Sequence, residues 1–434
     1  MPDLPMQEAN YWLTTVELPA SAPAGPWPAS VDVAVVGGGI TGLSAARGLA
    51  RRGASVAVLD THHPGWGASS RNGGMVLTGL KVSAASLVAR YGLERARQLY
   101  TASLESIDCV EQVVGEENIA CDFARSGHLD LAYKPAHFEH FRRSAEWLER
   151  DFGHSVRLVA RDELSSEIGS SAYFGGLVDE TSAGLNPARY VAGLAAAAQR
   201  AGAGLWPEAP VLSIDQSGAG YRVRTARGEL QAGQVVVATS GYTSAATPAL
   251  QRRIVPIGSY IIVTEVLPPE LARQVSPRNR MMFDSKNFLY YFRLTPDGRM
   301  LFGGRAGFMP ETPATVRESA EILRQAMLSV YPQLAGCQVA YAWGGTLDFA
   351  FDMMPHLGRL DGMWHALGYA GHGVAMATWM GSRLADLLAA KQGGGVPNPF
   401  ADLPFPRAPL GLYDGRPWFL PLAEVWYRLL DWVS

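Results

Sequence analysis

A glycine-rich turn between a buried strand and a helix constrains the fold of this chain more than any other feature. The run VDVAVV at 31–36 is apolar, which is typical of a parallel strand buried on both faces. It leads through Gly37-x-Gly39-x-x-Gly42 into a segment with helical spacing, and ASVAVLD follows as a second strand. Gly37 permits a tight turn, Gly39 admits a pyrophosphate close to the backbone, and Gly42 lets the helix pack on the strand. The pattern predicts a β-α-β unit that binds a dinucleotide at the helix N-terminus.

An acidic residue and two later segments narrow the choice of dinucleotide. Asp60 ends the second strand, where a carboxylate accepts hydrogen bonds from a ribose and repels a 2′-phosphate, so FAD or NAD is favoured over NADP. The segment WGASSRNGG (66–74) lets a flat ring system lie on small residues and offers donors at Ser69, Ser70, Arg71 and Asn72. The turn into a helix within GYAGHGVAMATWMGSRLADLL (368–388) gathers free N–H groups at one spot, which suits the pyrimidine end of a flavin. FAD is therefore the predicted cofactor.

The composition excludes several classes of protein. With 37 basic and 40 acidic residues the formal net charge is −3, which argues against nucleic acid as the main partner. Hydrophobic residues make up 48% of the 434, enough for two or three domains with sizeable cores. Cys109, Cys121 and Cys337 lack metal-ligand or disulfide spacing, so we expect no metal site and a reducing, cytoplasmic location. Neither a transmembrane helix nor a signal peptide is predicted, because no long uncharged apolar run is present.

Helical and strand-rich segments alternate along the chain. Residues from about 82 to 169 are largely helical, with one possible strand at SGHLDLAY, whereas residues from about 253 to 308 are strand-rich. Pro296-Asp297-Gly298 marks a turn between two of these strands. The predicted fold class is α/β, with a Rossmann-like FAD-binding domain of the glutathione-reductase type and a discontinuous mixed-sheet substrate domain.

These motifs resemble the D-amino-acid-oxidase-like FAD-dependent oxidoreductases, and among them the bacterial γ-glutamylputrescine oxidase type. The matching segments are YWLTTVEL, VAVVGGGITGLSAA, GWGASSRNGG, GLNPARYVAGLA, VVVATSGYT, a P-D-G turn followed by GG, and GYAGHGVAMAT. They occur in family order over nearly the whole chain. The resemblance implies an N-terminal arm at 1–30 and a C-terminal tail at 396–434. It divides the rest into an FAD-binding domain (31–90, 176–255 and 340–395) and a substrate domain (91–175 and 256–339).

The resemblance also implies which residues hold the cofactor. It puts the adenosine ribose on Asp60 and the adenine on the backbone of Val211. The pyrophosphate is implied at the glycine turn and near a later strand end, at Gly37, Gly39, Ile40, Thr41, Gly42, Thr239, Ser240 and Gly241. The ring system is implied along a segment comprising Gly67, Ala68, Ser69, Arg71, Asn72, Gly73 and Gly74. The C2 carbonyl side of the flavin is implied to face Gly371, His372, Gly373 and Val374.

Two absent residues predict that the FAD is bound noncovalently. Relatives with a histidyl-linked flavin resemble W-H-A-A-G at the segment where Gly67 follows Trp66 here. Monomeric sarcosine oxidases carry a flavin-linked Cys shortly before a late T-P-D segment. The comparable stretch GGTLDFAFD contains no Cys, and Cys337 lies several residues too early.

The resemblance implies oxidation of a C–N bond in a small amine or amino acid, with a γ-glutamylated polyamine as one candidate substrate. A neutral amine delivers a hydride to flavin N5, the imine hydrolyses, and O₂ takes the electrons to give H₂O₂. His372, between two glycines at the implied flavin edge, is the first candidate for a role in the site, with helix capping as the alternative.

Further candidates lie in the strand-rich region. Tyr291 and Arg293 share one face of a predicted strand, with Tyr290 on the other face. Arg305 follows the Gly303-Gly304 pair, and Trp343 lies in AWGGT, a segment that approaches the flavin in relatives. Packing is the alternative to substrate contact for each of them.

The electron acceptor is open because an expected lysine is missing. Related sarcosine oxidases activate O₂ with a Lys on a strand that resembles RMLFGGR, which contains none. The chain has four Lys, so this role falls to Lys286 or Lys81, to an Arg or His, or to no residue. The alternative function is a flavin dehydrogenase that passes electrons to a quinone or a protein acceptor. A noncatalytic flavoprotein is the second alternative, and both a monomer and a homodimer remain open.

The C-terminal segment PWFLPLAEVWYRLLDWVS is rich in aromatic residues. It contains Trp418, Phe419, Trp426, Tyr427 and Trp432, with few charged residues among them. Two interpretations remain open. The segment either docks onto the body of the protein or lies as a helix on a membrane surface.

Overall fold

Two large sheets and the helices packed on them form the architecture of the computed structural model, which describes residues 6–17, 25–304, 311–390, 395–408, 411–422, 424 and 426. The α-helices are α1 (Ile40–Ala50), α2 (Ala68–Arg71), α3 (Ala84–Tyr91), α4 (Leu93–Glu117), α5 (Pro135–Phe152), α6 (Pro187–Arg200), α7 (Pro248–Gln251), α8 (Pro269–Val275), α9 (Pro313–Val330) and α10 (Gly373–Ala389). The strands are β1 (Ser30–Val36), β2 (Val56–Leu59), β3 (Met75–Val76), β4 (His128–Leu131), β5 (Arg157–Ala160), β6 (Gly175–Asp179), β7 (Ala183–Gly184), β8 (Gly204–Trp206), β9 (Val211–Ser217), β10 (Gly220–Thr225), β11 (Gly228–Val237), β12 (Ile254–Val266), β13 (Met281–Asp284), β14 (Tyr290–Leu294), β15 (Arg299–Gly304), β16 (Val339–Ala350), β17 (His356–Leu360) and β18 (Met363–Leu367).

The first sheet is the predicted nucleotide-binding sheet. Its strand order is β17-β18-β11-β1-β2-β8, with β9 and β10 attached to β11 as an antiparallel ribbon. The strands from β18 to β8 run parallel, and β1 is buried from Val33 to Val36 because helices cover the sheet. Helices α1 and α10 pack closely, since Gly48 leaves room for Ala385. The Rossmann-like prediction is confirmed.

The second sheet is mostly antiparallel. Its order is β16-β12-β15-β14-β13-β4-β6-β5, and β13 with β4 is the parallel pair within it. Strands β14 and β15 form the hairpin predicted at Pro296-Asp297-Gly298, where Thr295 and Arg299 hydrogen-bond across the turn. Helix α9 covers one face and shares an apolar core with Phe292 and Phe302, whose rings stack 5.2 Å apart.

Sheet membership departs from the predicted domain boundaries at two strands. Residues 176–255 and 340–395 are predicted to belong to the FAD-binding domain, yet β6 and β16 pair within the second sheet. Strand β16 pairs with β12 from Val339 to Ala350. Strands of the two sheets alternate along the chain and are similarly apolar, so the sequence does not mark which sheet each strand joins.

The N-terminal arm, predicted at 1–30, packs against the 66–74 segment through its described residues 6–17. Trp12 is fully buried, and its indole N–H donates to the Asn72 carbonyl at 2.9 Å. The Asn10 side chain donates to the Ser70 carbonyl at 2.8 Å. The arm therefore braces the 66–74 segment, because buried aromatic surface outweighs the cost of ordering a short strap.

The described part of the C-terminal segment docks through one side. Leu420 is buried beside Tyr413, whose hydroxyl donates to the Ile254 carbonyl at 2.7 Å. Trp418, Leu422 and Trp426 are exposed. Tyr427 and Trp432 lie outside the described residues. In the part of the chain that is described, no helix is both long and apolar enough to cross a bilayer.

Candidate active site

A cavity of about 430 Å³, here called the first cavity, lies at the carboxyl ends of β1, β2 and β11. Parallel strands place their following turns at this edge, where nucleotides bind in such sheets. Most of the predicted cofactor residues line it. They are Gly37, Gly39, Ile40, Thr41, Asp60, Gly67, Ala68, Ser69, Asn72, Val211, Thr239, Ser240, Gly371, Gly373 and Val374.

Close contacts leave no room for a side chain at any of the three glycines of the first turn. Gly37 has φ of +105°, and a Cβ there would lie 2.5 Å from the Ala238 carbonyl oxygen. At Gly42 a Cβ would overlap the carbonyl oxygen of Gly37, so it permits packing and does not line the cavity. At Gly39 a Cβ would lie 2.7 Å from the Ser69 hydroxyl. These positions leave room for a pyrophosphate at the start of α1, as FAD requires.

Asp60 is held in place by backbone donors. Its carboxylate accepts from the Gly38 N–H at 2.6 Å and from the His62 N–H at 2.9 Å. Burial is the largest influence on its pKa and raises it, while these two donors act in the opposite direction. The carboxylate is therefore oriented at the cavity wall before a ribose arrives.

The 66–74 segment is organised mainly by its own side chains. The Ser69 hydroxyl accepts from the Ile40 N–H at 3.0 Å, and the Asn72 amide donates to the carbonyls of Ala68 and Ser69. Arg71 donates to the Trp66 carbonyl at 2.8 Å and pairs with Glu311 at 2.7 Å. These polar groups, which are predicted as donors to the flavin, thus also hold the 66–74 segment in its conformation. Gly74, with φ of +67°, lines neither large cavity.

Two buried residues of the first cavity, Tyr369 and Asp348, were not predicted from the sequence. The Thr41 hydroxyl is hydrogen-bonded to the Tyr369 hydroxyl at 2.7 Å, which joins α1 to the turn before α10. The Asp348 carboxylate accepts from the Gly368 N–H at 2.7 Å, and burial raises the pKa of Asp348 to about 6. The predicted Gly241 packs against the Leu347 carbonyl outside the cavity.

A second cavity of about 370 Å³ adjoins the first. The residues that line both are Ala68, Asn72, Leu347, Gly371 and Val374. The second cavity alone is lined by Arg71, Gly73, His372 and Tyr291, by Asp284 at the end of β13, and by Lys286 between β13 and β14. A flat group that extends from the first cavity past the shared residues would therefore face the second.

His372 occupies the turn before α10 as a half-buried, uncharged residue. Its Nδ1 has no hydrogen-bond partner among the described residues, although it is inaccessible to solvent. Burial lowers the pKa of His372 to about 3. A buried polar atom without a partner is costly, which is consistent with a bound group at this position. The residue is the helix N-cap by position, but its side chain makes no capping hydrogen bond.

The structure separates the remaining candidates. Tyr291 lines the second cavity, and burial raises its pKa to about 12. Arg293 is buried away from both cavities, where its guanidinium donates to the carbonyls of Gly74 and Leu185 at 2.9 and 3.1 Å. The Trp343 indole N–H likewise donates to the Arg71 carbonyl at 2.9 Å outside both cavities. Arg305 lies outside the described residues.

Among the described residues of β15, which resembles the lysine-bearing strand of sarcosine oxidases, none brings a cationic side chain to either cavity. In β15 the side chain of Leu301 is fully buried with Trp12 and Trp343. The structure instead places Lys81 and Lys286 on the second cavity. Among the described residues, no cluster of three His, Cys, Asp or Glu is suited to a metal ion.

A parallel nucleotide-binding sheet, a second sheet and two adjoining cavities together define a two-domain flavoenzyme. The chain belongs to the DAO family of FAD-dependent oxidoreductases, whose family model matches residues 32–387. The predicted cofactor is thereby confirmed as FAD, and the predicted family is confirmed. The enzyme is an oxidoreductase of the family that includes amine and amino-acid oxidases.

Curated relatives match over nearly the full chain. A probable oxidoreductase OrdL of Rhizobium meliloti is 33% identical over 423 residues, which cover 97% of this chain and 96% of the relative. The gamma-glutamylputrescine oxidoreductase of Escherichia coli is 32% identical over 402 residues, which cover 92% of each chain.

Solved structures share the fold at lower sequence identity. Glycine oxidase from Geobacillus kaustophilus superposes with a TM-score of 0.71 at 23% identity, covering 86% of this chain and 98% of that chain. L-amino acid deaminase from Proteus vulgaris gives 0.70 at 18% identity, covering 89% and 95%. Both comparisons support the two-sheet architecture.

Proposed function

We propose that this protein oxidises a C–N bond of a small amine or amino acid bound in the second cavity, with FAD in the first. The observation that supports this most is that five residues line both cavities. A cofactor anchored at the glycine turn would present one end to a substrate beyond these residues. Bound there, FAD supplies the capacity to accept a hydride from the carbon that carries the amine.

The residues of the second cavity bind and orient the substrate in this proposal. Burial lowers the pKa of His372 to about 3, so the imidazole stays neutral and is a poor proton acceptor. Its role in this proposal is to hydrogen-bond to a bound group. Tyr291 and the Gly73 backbone narrow the cavity and exclude water, since a Cβ at Gly73 would lie 3.1 Å from the Tyr291 ring. Such chemistry depends on positioning a neutral amine more than on a strong base.

The FAD is proposed to be noncovalent. None of the cysteines is among the described residues that line either cavity, and Gly67 occupies the position where relatives carry a linking histidine. Acid precipitation of the holoenzyme should leave the flavin fluorescence in the supernatant. Fluorescence that remains with the protein pellet would show a covalent bond.

A γ-glutamylated polyamine is a candidate substrate because the Escherichia coli relative carries gamma-glutamylputrescine in its name. The decisive test is an anaerobic screen of amines, amino acids and γ-glutamyl amines, in which bleaching of the flavin absorbance reports reduction. Bleaching by at least one C–N compound is expected. A flavin that stays oxidised throughout would favour a noncatalytic flavoprotein instead.

O₂ is proposed as the acceptor, with a quinone or protein acceptor as the second candidate. The observation that favours the second is that β15, which resembles the lysine-bearing strand of sarcosine oxidases, contains no lysine. Stoichiometric hydrogen peroxide in air would support an oxidase. Rapid dye reduction without air, together with slow peroxide formation, would support a dehydrogenase.

A cytoplasmic location is also proposed. Cys109, Cys121 and Cys337 are all unpaired in the structure, as suits a reducing compartment. Alkylation in a denaturing lysis buffer should label three thiols per chain, since Cys121 is buried in the folded protein. Labelling that requires prior reduction would argue for an oxidising compartment.

A further inference from the structure

A buried polar network lies behind the second cavity and has no role in the function proposed above. Its members are Thr78, His128, His154, Asp179 and Ser182, all of which are buried. They come from four separate stretches of the chain, and none of the five lines either large cavity. Such a cluster requires an explanation, because each polar group loses its hydration when the interior forms.

Hydrogen bonds connect the five residues. The Asp179 carboxylate is hydrogen-bonded to His154 Nε2 at 2.7 Å and accepts from the Thr78 hydroxyl at 2.7 Å. The Ser182 hydroxyl accepts from the Thr78 N–H at 3.0 Å and is hydrogen-bonded to His128 Nδ1 at 2.8 Å. Burial, the largest influence on the pKa of Asp179, acts to raise it, yet the hydrogen bonds with His154 and Thr78 help to lower it overall. Asp179 is therefore a buried anion held by the groups around it.

The His128 end of the network contacts one wall of the second cavity. Leu129 and Met282 belong to the apolar core beneath α9, so strand alternation puts His128 and Phe283 on the opposite face of the sheet. There the two rings stack with their centres 5.3 Å apart and 25° between their planes. Phe283 itself lines the second cavity. Burial lowers the pKa of His128 to about 4, so an uncharged ring supports Phe283 from behind.

The Thr78 end of the network contacts another wall of the same cavity. Thr78 follows Leu77, and the residues of this segment that line the cavity are Met75, Leu77 and Lys81. Both the N–H and the hydroxyl of Thr78 are hydrogen-bonded within the network. The segment that carries Leu77 and the strand that carries Phe283 are thus linked by hydrogen bonds and one ring contact.

Stability alone does not account for this network. Apolar side chains of similar volume would fill the same space without the cost of burying a carboxylate and two imidazoles. Hydrogen bonds are directional, so a buried network holds its members in one arrangement where apolar packing admits several. What the network contributes beside a cavity is the position of the cavity walls.

We propose that this network positions Phe283 and Leu77, and that it thereby sets the width of the second cavity and the size of the amine that the enzyme accepts. The inference rests on the function proposed above and adds residues that determine its specificity. Phe283 and Leu77 contact the substrate, whereas His128 and Thr78 are positioning residues because they act through them. Loss of the His128 ring lets Phe283 move back and favours longer amines.

Paired substitutions at His128 separate the ring from the hydrogen bond. His128→Phe keeps a ring against Phe283 and loses the bond to Ser182, whereas His128→Asn retains a polar partner for Ser182 and loses the ring. The probes are ethylamine, butylamine and hexylamine, each mixed anaerobically with the oxidised holoenzyme. The shift of the flavin absorbance gives the Kd, and its bleaching gives the rate constant of reduction. We expect His128→Asn to change the Kd ratio of hexylamine to ethylamine about tenfold in favour of hexylamine, and His128→Phe to change it less.

Thr78 provides a conservative rescue, and a second buried histidine provides the control. Thr78→Val removes the donor to Asp179 and should change the same ratio to a smaller extent, whereas Thr78→Ser keeps the hydroxyl and should leave it unchanged. His356 is also buried and stacked on a phenylalanine, Phe405, with ring centres 4.0 Å apart, but it lines neither cavity. His356→Asn should therefore lower stability without changing the ratio.

Crystal structures of His128→Asn and His128→Phe measure the position of Phe283 directly, whether or not an amine binds. A Phe283 ring displaced in His128→Asn supports the inference, even if the anaerobic screen finds no substrate and the proposed function fails. A ring that stays in place in both variants would overturn it. Amines that reduce the flavin of His128→Asn with an unchanged size preference would also overturn it, and would leave the proposed function standing.

Discussion

The two cavities are built by different means, although they share a wall. The first cavity is shaped by the backbone and by small residues. Glycines such as Gly37 and Gly39 leave space there that any side chain would fill. The second is lined by side chains of antiparallel strands, such as Tyr291, and of the segment between two strands, such as Lys286. Backbone shape is fixed by a few residue types at set spacings, whereas a side-chain surface varies freely on the same fold. Cofactor binding is thus conveyed by the motifs, and substrate choice by residues outside them.

Replacement of Gly42 by alanine should have the largest effect in the first cavity. A Cβ would overlap the carbonyl oxygen of Gly37, which is backbone and cannot move without breaking the turn. We expect little folded holoenzyme, measured by flavin content and thermal unfolding. Gly115→Ala is the control, because that helical glycine has open space around it and should tolerate the change. Full FAD retention by Gly42→Ala would break the comparison.

Arg293 provides the next test. It lies on a strand of the second sheet but donates a hydrogen bond to the 66–74 segment, part of which lines the first cavity. Arg293→Met removes its donors to the carbonyls of Gly74 and Leu185 and should lower the free energy of unfolding by about 1–3 kcal/mol. Flavin content should fall with it. The ratio of rates for long and short amines should not change. A changed ratio at unchanged stability, by chemical denaturation, would give Arg293 a role in substrate selection.

Arg293 also shows which features of the site could not be predicted from the sequence. Strand alternation correctly puts Tyr291 and Arg293 on one face, yet it does not reveal that the 73–74 turn covers Arg293 and leaves Tyr291 at the cavity. The glycine turn and Asp60 were predictable because their spacing is local. Tyr369 and Trp12 were missed, since their contacts with Thr41 and Asn72 join segments more than fifty residues apart. The YWLTTVEL segment of the N-terminal arm contributed only to the family resemblance, and its contacts were not predicted.

Asp60→Asn should weaken the first cavity without destroying it. The amide keeps one acceptor but loses the charge that the Gly38 and His62 N–H groups stabilise. We expect the Kd of FAD to rise about tenfold, measured by fluorescence during reconstitution. Asp32→Asn, at the exposed start of the same sheet, is the control and should leave the Kd unchanged.

The second cavity should respond to pH through Asp284. Burial raises the pKa of Asp284 to about 6, although Lys286 opposes the shift. A raised pKa means that the folded protein favours the neutral carboxyl, so Asp284 lowers the free energy of unfolding as the pH rises from about 4 to about 6. Comparison with Asp284→Asn isolates this contribution, because the other titrating groups are the same in both proteins.

Asp284→Asn should therefore gain stability relative to the unsubstituted protein over that pH range. The measurement is chemical denaturation at a series of pH values. Asp348, whose pKa burial also raises to about 6, lines the first cavity. A pH dependence that is the same in Asp284→Asn and in the unsubstituted protein would remove Asp284 from the account of the second cavity.

Trp343→Phe should have the smallest effect and tests whether the backbone at Arg71, on the wall of the second cavity, tolerates loss of a single hydrogen bond. The ring stays packed with Trp12 and Leu301, while the donor to the Arg71 carbonyl is lost. We expect about 0.5–1.5 kcal/mol less stability, by chemical denaturation, and unchanged kcat/KM. Trp418→Phe, at an exposed indole, should change neither quantity. Because Trp343 lines neither cavity and reaches the second one through its hydrogen bond to the Arg71 carbonyl, a drop in kcat/KM at unchanged stability would mean that the backbone at Arg71 moves during the reaction.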